Sequence, residues 1–437
     1  MKRTFVRTLL LAAAVGSVPL AAQERAQAFR GATLLPIASA PIADGVLVVR
    51  GGKIVAVGGP STPIPAGAEV HDVAGKIIMP GLVDTHSHIG GGDGGDQSTP
   101  LHPAVRILDT IDPRNPGIRR ARAGGVTTVN VMPGSGLLMS GQTAYLKLRD
   151  AHSIDGLLFC SDPVRDVCGG LKMANGTNPR GSAPHPGTRA RAAAIVRDRF
   201  VKAREYREKV RAARGDASKM PARDLELETL AEVLDGKRVV HFHTHRADDI
   251  LTVLRLREEF GFRVVLQHAS EAYKVADQIA AARVPASIIA LDAPGGKLEA
   301  SEYSNVSGAA LERAGAPLIA FHTDDGITDS RFFLRSAAMG VRFGLSRERA
   351  LRAVTLDAAE MMDLGDRVGS LERGKDADFI ILSGDPFSTY THVEQTWIEG
   401  RKVFDRADPE QRKLAVGGYG VYRGTAMHTH EGEEGHE

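Results

Sequence analysis

Asp84-Thr85-His86-Ser87-His88 closes the apolar run KIIMPGLV. Side chains two apart on a strand face the same side, so His86 and His88 can aim at one ion. Imidazole ligates zinc, cobalt, manganese and nickel alike, so the spacing marks a site without naming its metal. Such a pair also occurs on wetted strands, and its weight here comes from three further clusters. His241, His243 and His245 close or follow RVVHFHTHR, His268 follows RVVLQ, and His322, Asp324 and Asp325 follow PLIAF. Each ends an apolar stretch. His241 and His322 suit packing or support of the ligands as well as ligation.

Groups at strand ends need strands to hold them. Gly125–Val131, Arg238–Phe242, Arg263–Gln267, Ala286–Ala290 and Pro317–Phe321 are short apolar runs separated by helix-length segments. Arg189–Arg214 is charged and Ala-rich and predicts an exposed helix; Asp248–Phe260 and Tyr273–Ala282 predict amphipathic connectors. Buried strands alternating with helices imply a parallel α/β core. The span suits a (β/α)8 barrel, which takes about 250 residues and builds its site at the strand C-termini. Both ends of the chain differ from this middle. Val46–Arg50 and Lys53–Val57 flank Gly51-Gly52, a hairpin signal, and GSLERGKDADFIILSG and VEQTWIEGRKVFD return to strand text near the end. The expected organisation is a small β-sandwich from residues 28–80 and 366–415, a barrel over 81–365, and a polar His- and Glu-rich tail over 416–437.

PGLVDTHSH, HTHRADD, LQHASEA, FHTDD and GSLERGKDADFIIL, in that order, resemble the metal-dependent amidohydrolase superfamily, in its imidazolonepropionase-like branch. The likeness covers nearly the whole chain after its first segment. It implies the barrel and two-ended sandwich, with one or two divalent ions, zinc foremost. His86 and His88 match the first-strand ligands, His243 the fifth-strand ligand with His245 as its rival, and His268 the sixth-strand ligand. Asp324 matches the eighth-strand carboxylate, which binds metal and exchanges a proton with the attacking water. Lys172 in GGLKMANGTNP matches a fourth-strand lysine that bridges two ions when carboxylated; a surface lysine is the alternative. The related pattern continues Gly-Glu-Asn-Pro, whereas this chain has Gly176-Thr177-Asn178-Pro179 and lacks that glutamate.

The resemblance implies hydrolysis of an amide or peptide-like C–N bond, in a dipeptide or N-acylated amino acid. A bound ion lowers the pKa of its water from 15.7 towards about 7 and polarises the carbonyl. Asp324 would pass the water's proton to the leaving nitrogen, and His245 suits contact with the oxyanion or substrate. Arg246 fits either a substrate carboxylate or an outward salt bridge, and Tyr145 and Tyr273 either the pocket or the core. A deaminase or cyclic-amide hydrolase is the alternative, although Thr244, His245 and Arg246 follow His243 where superfamily deaminases usually carry a glutamate. A non-catalytic metal binder is the remaining class, and the complete ligand set argues against it.

Met1–Ala22 has the layout of a secretory signal: Lys2, Arg3 and Arg7, the apolar run Leu9–Ala14, then Pro19, Ala21 and Ala22. A periplasmic or secreted home is expected, with no membrane association after cleavage. Cys160 and Cys168 are the only cysteines; spacing alone leaves a disulfide and two thiols equally open. The 437 residues carry 55 Lys+Arg against 53 Asp+Glu. Without the export segment, which holds three of those bases and no acid, even that small excess disappears. This balance excludes the basic footprint of a nucleic-acid binder. The expected partner is a small-molecule substrate, with assembly into a homo-oligomer a further expectation.

Overall fold

A computed structural model describes residues 25–92, 98–181, 185–291 and 297–417. The expected export segment, and the tail with His428, His430 and His436, lie outside the described residues.

The first strands are β1 (Gln27–Leu34), β2 (Ile42–Arg50), β3 (Lys53–Gly58), β4 (Glu69–Asp72) and β5 (Ile77–Pro80). Gly51 and Gly52 both take positive φ, 58° and 74°, and close the β2–β3 hairpin. Such a turn matches the right-handed twist of its strands and admits few residues but glycine and asparagine.

The middle of the chain then runs through β6 (Leu82–Ser87), β7 (Val126–Val131), β8 (Met139–Gln142), β9 (Ala144–Lys147), β10 (Leu171–Ala174), β11 (Val240–Thr244), β12 (Val264–His268), β13 (Ala286–Ile289) and β14 (Ile319–His322). β6 and β7 pair in parallel, as do β10 to β14 in sequence. Helices fill the crossovers, among them Arg189–Ala213, Ala247–Phe260 and Ser307–Ala314. The expected α/β class is therefore what the chain forms.

One stretch departs from the parallel plan. β8 and β9 run antiparallel to β10 and β7 respectively, and only Thr143 separates them. A parallel return needs a crossover of a dozen or more residues. The short segment from Met132 to Leu138 does not supply one. At the other end β14 comes back beside β6: Thr323 donates its N–H to Asp84 Oδ1 at 3.1 Å and Asp324 donates to the His86 carbonyl at 2.9 Å.

After β14 the chain adds helices Phe333–Arg342, Arg347–Ala353 and Leu356–Glu360, then β15 (Phe379–Leu382), β16 (Val393–Ile398) and β17 (Arg401–Asp405). These last strands join the first five in one eight-stranded sheet, with β15 paired to β5. Phe29 on β1 and Trp397 on β16 are three places apart in that order, yet their ring centroids lie 5.0 Å apart. Flat strands at about 4.8 Å spacing would hold them about 14 Å apart, so the sheet curls around its own core of Phe29, Leu47, Ile54, Phe379 and Trp397. Cys160 and Cys168 form a disulfide, which settles the alternative left open by their spacing.

Candidate metal centre

The strands deliver their polar ends to one place. His86 lies near the end of β6, Lys172 on β10, His243 on β11 and His268 at the end of β12, while His88, His245 and Asp324 follow β6, β11 and β14 within two residues. His88 Nε2 stands 3.0 Å and His86 Nε2 3.3 Å from Asp324 Oδ1. Lys172 is fully buried, with Nζ 3.0 Å from His86 Nε2 and 3.1 Å from Met132 Sδ. Ring centroids of His243 and His268 are 4.4 Å apart, and those of His245 and His268 5.0 Å.

Three groups could each hold one ion: His86, His88 and Asp324; His86, His268 and His322; His243, His245 and His268. They share His86 and His268, so the donors form one continuous patch. Both ring nitrogens of His243 and Nε2 of His268 are buried without a hydrogen-bond partner. Leaving a buried polar atom unpaired costs about 1–3 kcal/mol. Imidazole lone pairs converging with a carboxylate are the donor set that a divalent cation satisfies, so the residues fit one.

The electrostatics agree. Burial holds His86, His243 and His268 well below their ordinary pKa, and the amines of Lys172 (at His86 and His243) and Lys297 (at His243) add to the effect. These rings are neutral at pH 7, the form that ligates metal. Burial works to raise the Asp324 carboxyl, but the imidazoles of His86, His268 and His88 outweigh it and hold it well below the usual range. Desolvation lowers the Lys172 ammonium to about 7 against the pull of Asp324. Asp324 and His268 also adopt left-handed backbone, φ 49° and 67°. Non-glycine residues hold such conformations only where their surroundings over-determine them.

Supporting contacts fix the rings. His88 Nδ1 lies 2.8 Å from the Met132 carbonyl and His245 Nδ1 2.7 Å from Ser270 Oγ. His322 sits behind His268, with its Nδ1 2.9 Å from Ser287 Oγ; Ser287 in turn meets Thr85 Oγ1 at 2.6 Å. Burial pushes His322 down to about 3. His241 shares a strand face with His243 but lies one side-chain layer deeper. It is bonded at Nε2 by the Tyr145 hydroxyl (2.9 Å) and at Nδ1 by Gln267 (3.1 Å). Both ring nitrogens are engaged, so His241 and Tyr145 are packing groups below the patch.

Arg246 turns outward in a two-pronged pair with Asp248, at 2.9 and 3.0 Å. Tyr273 bonds the Glu302 carbonyl at the surface. Neither joins the patch. Asp325, adjacent to Asp324, points away and accepts from Arg120 at 2.6 Å and from Ser330. Two acids join the surroundings that the sequence left without a role. Asp84 accepts from Thr323 and ties β14 to β6; burial raises it to about 7. Glu299 reaches in from the segment after β13, with Oε1 4.0 Å from His243 Nε2. Asp84 lies inside the histidine motif, but nothing in the local pattern around Glu299 marks it.

Residues 174–404 match the profile described as "Amidohydrolase family". The chain is 28% identical to amidohydrolase tasK of Hapsidospora irregularis over 79% of its own length but spans only 38% of that protein. It is 26% identical to the imidazolonepropionase of Deinococcus radiodurans, covering 78% of this chain and 86% of that one. Among solved structures, an amidohydrolase from Thermotoga maritima MSB8 is 36% identical, with a TM-score of 0.81 over 87% of this chain and all of that one.

Proposed function

Because the chain belongs to the amidohydrolase family, whose members are hydrolases acting on C–N bonds, we propose that it is an exported metal-dependent hydrolase of amide or peptide-like bonds in small molecules. The observation that carries this reading is the shared patch: His86, His88 and Asp324 on one side, His243 and His268 on the other, and the buried Lys172 amine beside His86. In this reading His86, His88 and Asp324 would hold one divalent ion and His243 and His268 a second, zinc foremost, with a carboxylated Lys172 as a further ligand. The strands from β6 to β14 are read as a (β/α)8 barrel whose third place is filled by β8 and β9. The eight-stranded sheet, whose strands lie within residues 27–80 and 379–405, is read as its companion domain, with bounds 28–80 and 366–415.

When bound, such an ion lowers the pKa of its water towards about 7 and polarises the scissile carbonyl. The Asp324 carboxylate, set between His88 and His268, accepts the water's proton and returns it to the leaving nitrogen. Held well below the usual carboxylate range, it is ionised at pH 7, the form that a proton acceptor must have. His245 is assigned to the oxyanion: its Nδ1 is held 2.7 Å from the Ser270 hydroxyl, and in the tautomer that carries the proton on Nε2 the ring donates to developing negative charge.

A dipeptide or N-acylated amino acid is the proposed substrate class. Thr244, His245 and Arg246 after His243, with no glutamate among them, favour hydrolysis over deamination. The likeness to an imidazolonepropionase favours a cyclic amide as the second reading. Export is part of the proposal, and the Cys160–Cys168 disulfide supports it, because the cytosol keeps thiols reduced. Among the described residues no helix is long and apolar enough to cross a membrane.

The test is a screen of the full chain, stripped with chelator and reloaded with zinc or manganese, against dipeptides, N-acyl amino acids, lactams and aryl amides. Turnover of linear amides by the reloaded protein alone is expected. Turnover confined to lactams moves the assignment to cyclic amides, and turnover indifferent to chelation removes the metal from the mechanism.

A further inference from the structure

Lys297 is a cation without an acid. It is half-buried on the segment after β13, and its Nζ donates to Asn178 Oδ1 at 3.1 Å. Asn178 in turn donates from Nδ2 to Ser135 Oγ at 2.7 Å. Among the described residues no carboxylate pairs with the amine. The two acids that follow it are engaged elsewhere: Glu299 accepts the Thr177 N–H at 2.6 Å, and Glu302 pairs with Lys274. Other cations near these strand ends have their acids, Arg246 in Asp248 and Arg189 in Asp249. An ammonium carries three donors, and here a neutral amide oxygen occupies one.

The contacts place this amine beside the metal patch. Lys297 and Glu299 grip neighbouring residues, Asn178 and Thr177, on the loop that follows β10, the strand of Lys172. Glu299 meanwhile sets its other oxygen, Oε1, 4.0 Å from His243 Nε2. The charge of Lys297 adds to the downward shifts of Lys172 and His243, so its field reaches the centre. In a dipeptide or N-acyl amino acid the leaving amine carries a carboxylate. Arg246, the candidate for that group in the sequence, is held outward by Asp248. Lys297 has two further N–H groups and a full positive charge to offer, and hydrogen bonds between charged partners are the strong ones.

We infer that Lys297 is a specificity-determining residue that receives the carboxylate of the leaving amino acid, its amine held in place by Asn178. The inference rests on the hydrolase reading above. It narrows the substrate class to linear amides with a free carboxylate on the leaving amine, against aryl amides and uncharged lactams.

The test separates binding from turnover. Full-length, zinc-loaded wild-type and Lys297→Met proteins are titrated by calorimetry with N-(methylphosphonyl)-L-alanine, which has a P–N bond in place of the scissile amide, and with its C-terminal carboxamide. Zinc content and circular dichroism are measured in parallel. Wild type is expected to bind the acid about tenfold or more tighter than the carboxamide. Methionine keeps the length of the side chain and removes its charge, so the variant should bind both probes as wild type binds the carboxamide, with zinc content unchanged. Lys297→Arg should keep the preference. A methionine variant that still prefers the acid as wild type does overturns the inference, as does equal affinity of wild type for the two probes. Weakened binding of both probes by the methionine variant makes Lys297 a structural residue and also overturns it. Binding of neither probe by zinc-loaded wild type overturns the hydrolase reading, and the inference with it. If the methionine variant does not fold, Lys297→Gln carries the same expectations.

Discussion

The backbone N–H of Asp324 donates to the carbonyl oxygen of His86 at 2.9 Å. One hydrogen bond thus joins the segment after β14 to the end of β6, and it sets the Asp324 carboxylate against the imidazoles of both His86 and His88. Residues from opposite ends of the strand series share one piece of backbone geometry. The left-handed φ of Asp324 directs the carboxylate inward while Asp325 is drawn away by Arg120.

Replacing Asp324 with Asn keeps that backbone bond and the side-chain volume but removes the proton acceptor. Turnover is expected to fall by about a thousandfold, within the usual range for a general acid–base group. Steady-state kinetics with parallel metal analysis checks this. An asparagine variant with wild-type turnover would remove Asp324 from proton transfer.

Asp84 acts through Thr323, whose N–H and hydroxyl it accepts. It is a positioning residue for Asp324, one residue further on. Asp84→Asn weakens both bonds and frees the join between β6 and β14. The expected outcome is a fall of about tenfold or more in metal affinity or kcat, the scale seen when supports of ligands are lost, with little change in KM. An unchanged metal affinity together with unchanged kcat would show that β6 and β14 hold their register without this clamp.

Much of this site is legible in the amino-acid sequence, for a physical reason. His86, His88, His243, His268 and Asp324 sit at or just beyond the ends of apolar strands, and a strand's period of two and its burial leave plain marks in sequence. Lys172 rests more on resemblance than on pattern, since its strand is four residues long. Glu299 and the clamp by Asp84 leave no such mark, because each acts across a gap between distant segments. β8 and β9 are illegible for another reason: MSGQ and AYLK are too short and too mixed to show a period. Arg246 illustrates an even choice settled by geometry, since Asp248 two residues on captures it.

Lys172 makes a separate prediction. Its amine is buried beside His86 and Met132, and no ion pair holds it among the described residues, an unfavourable setting for a permanent ammonium. Lys172→Ala should lower bound metal from about two ions per chain to one or none, as ligation by Lys172 requires. Mass spectrometry under native conditions should show the carbamate on the wild type alone. Two ions bound by the alanine variant would remove Lys172 from the centre.

The last prediction concerns stability away from the site. Lys147 on β9 is fully buried and is held by Asp376, by Asp378 at 3.1 Å and by Glu399 at 3.2 Å, all from the C-terminal part of the chain. Burial works to raise Asp376 and Glu399, but the lysine and arginine partners outweigh it and bring both down to about 2. Unfolded carboxyls titrate near 4, so the folded state binds fewer protons. Their stabilisation is complete above about pH 5 and is lost as pH falls through 4 towards 2. Asp378 has the opposite sign, because burial raises it and its ionisation opposes folding as pH rises; with two groups against one, the acid loss should dominate. Denaturant unfolding from pH 7 to pH 2 should show a steep decline below about pH 4. Lys147→Met removes the central cation and should cost about 3 kcal/mol at pH 7, as breaking a buried ion pair does. It should also flatten the acid limb. Parallel acid limbs in the two proteins would show that these carboxylates do not depend on Lys147.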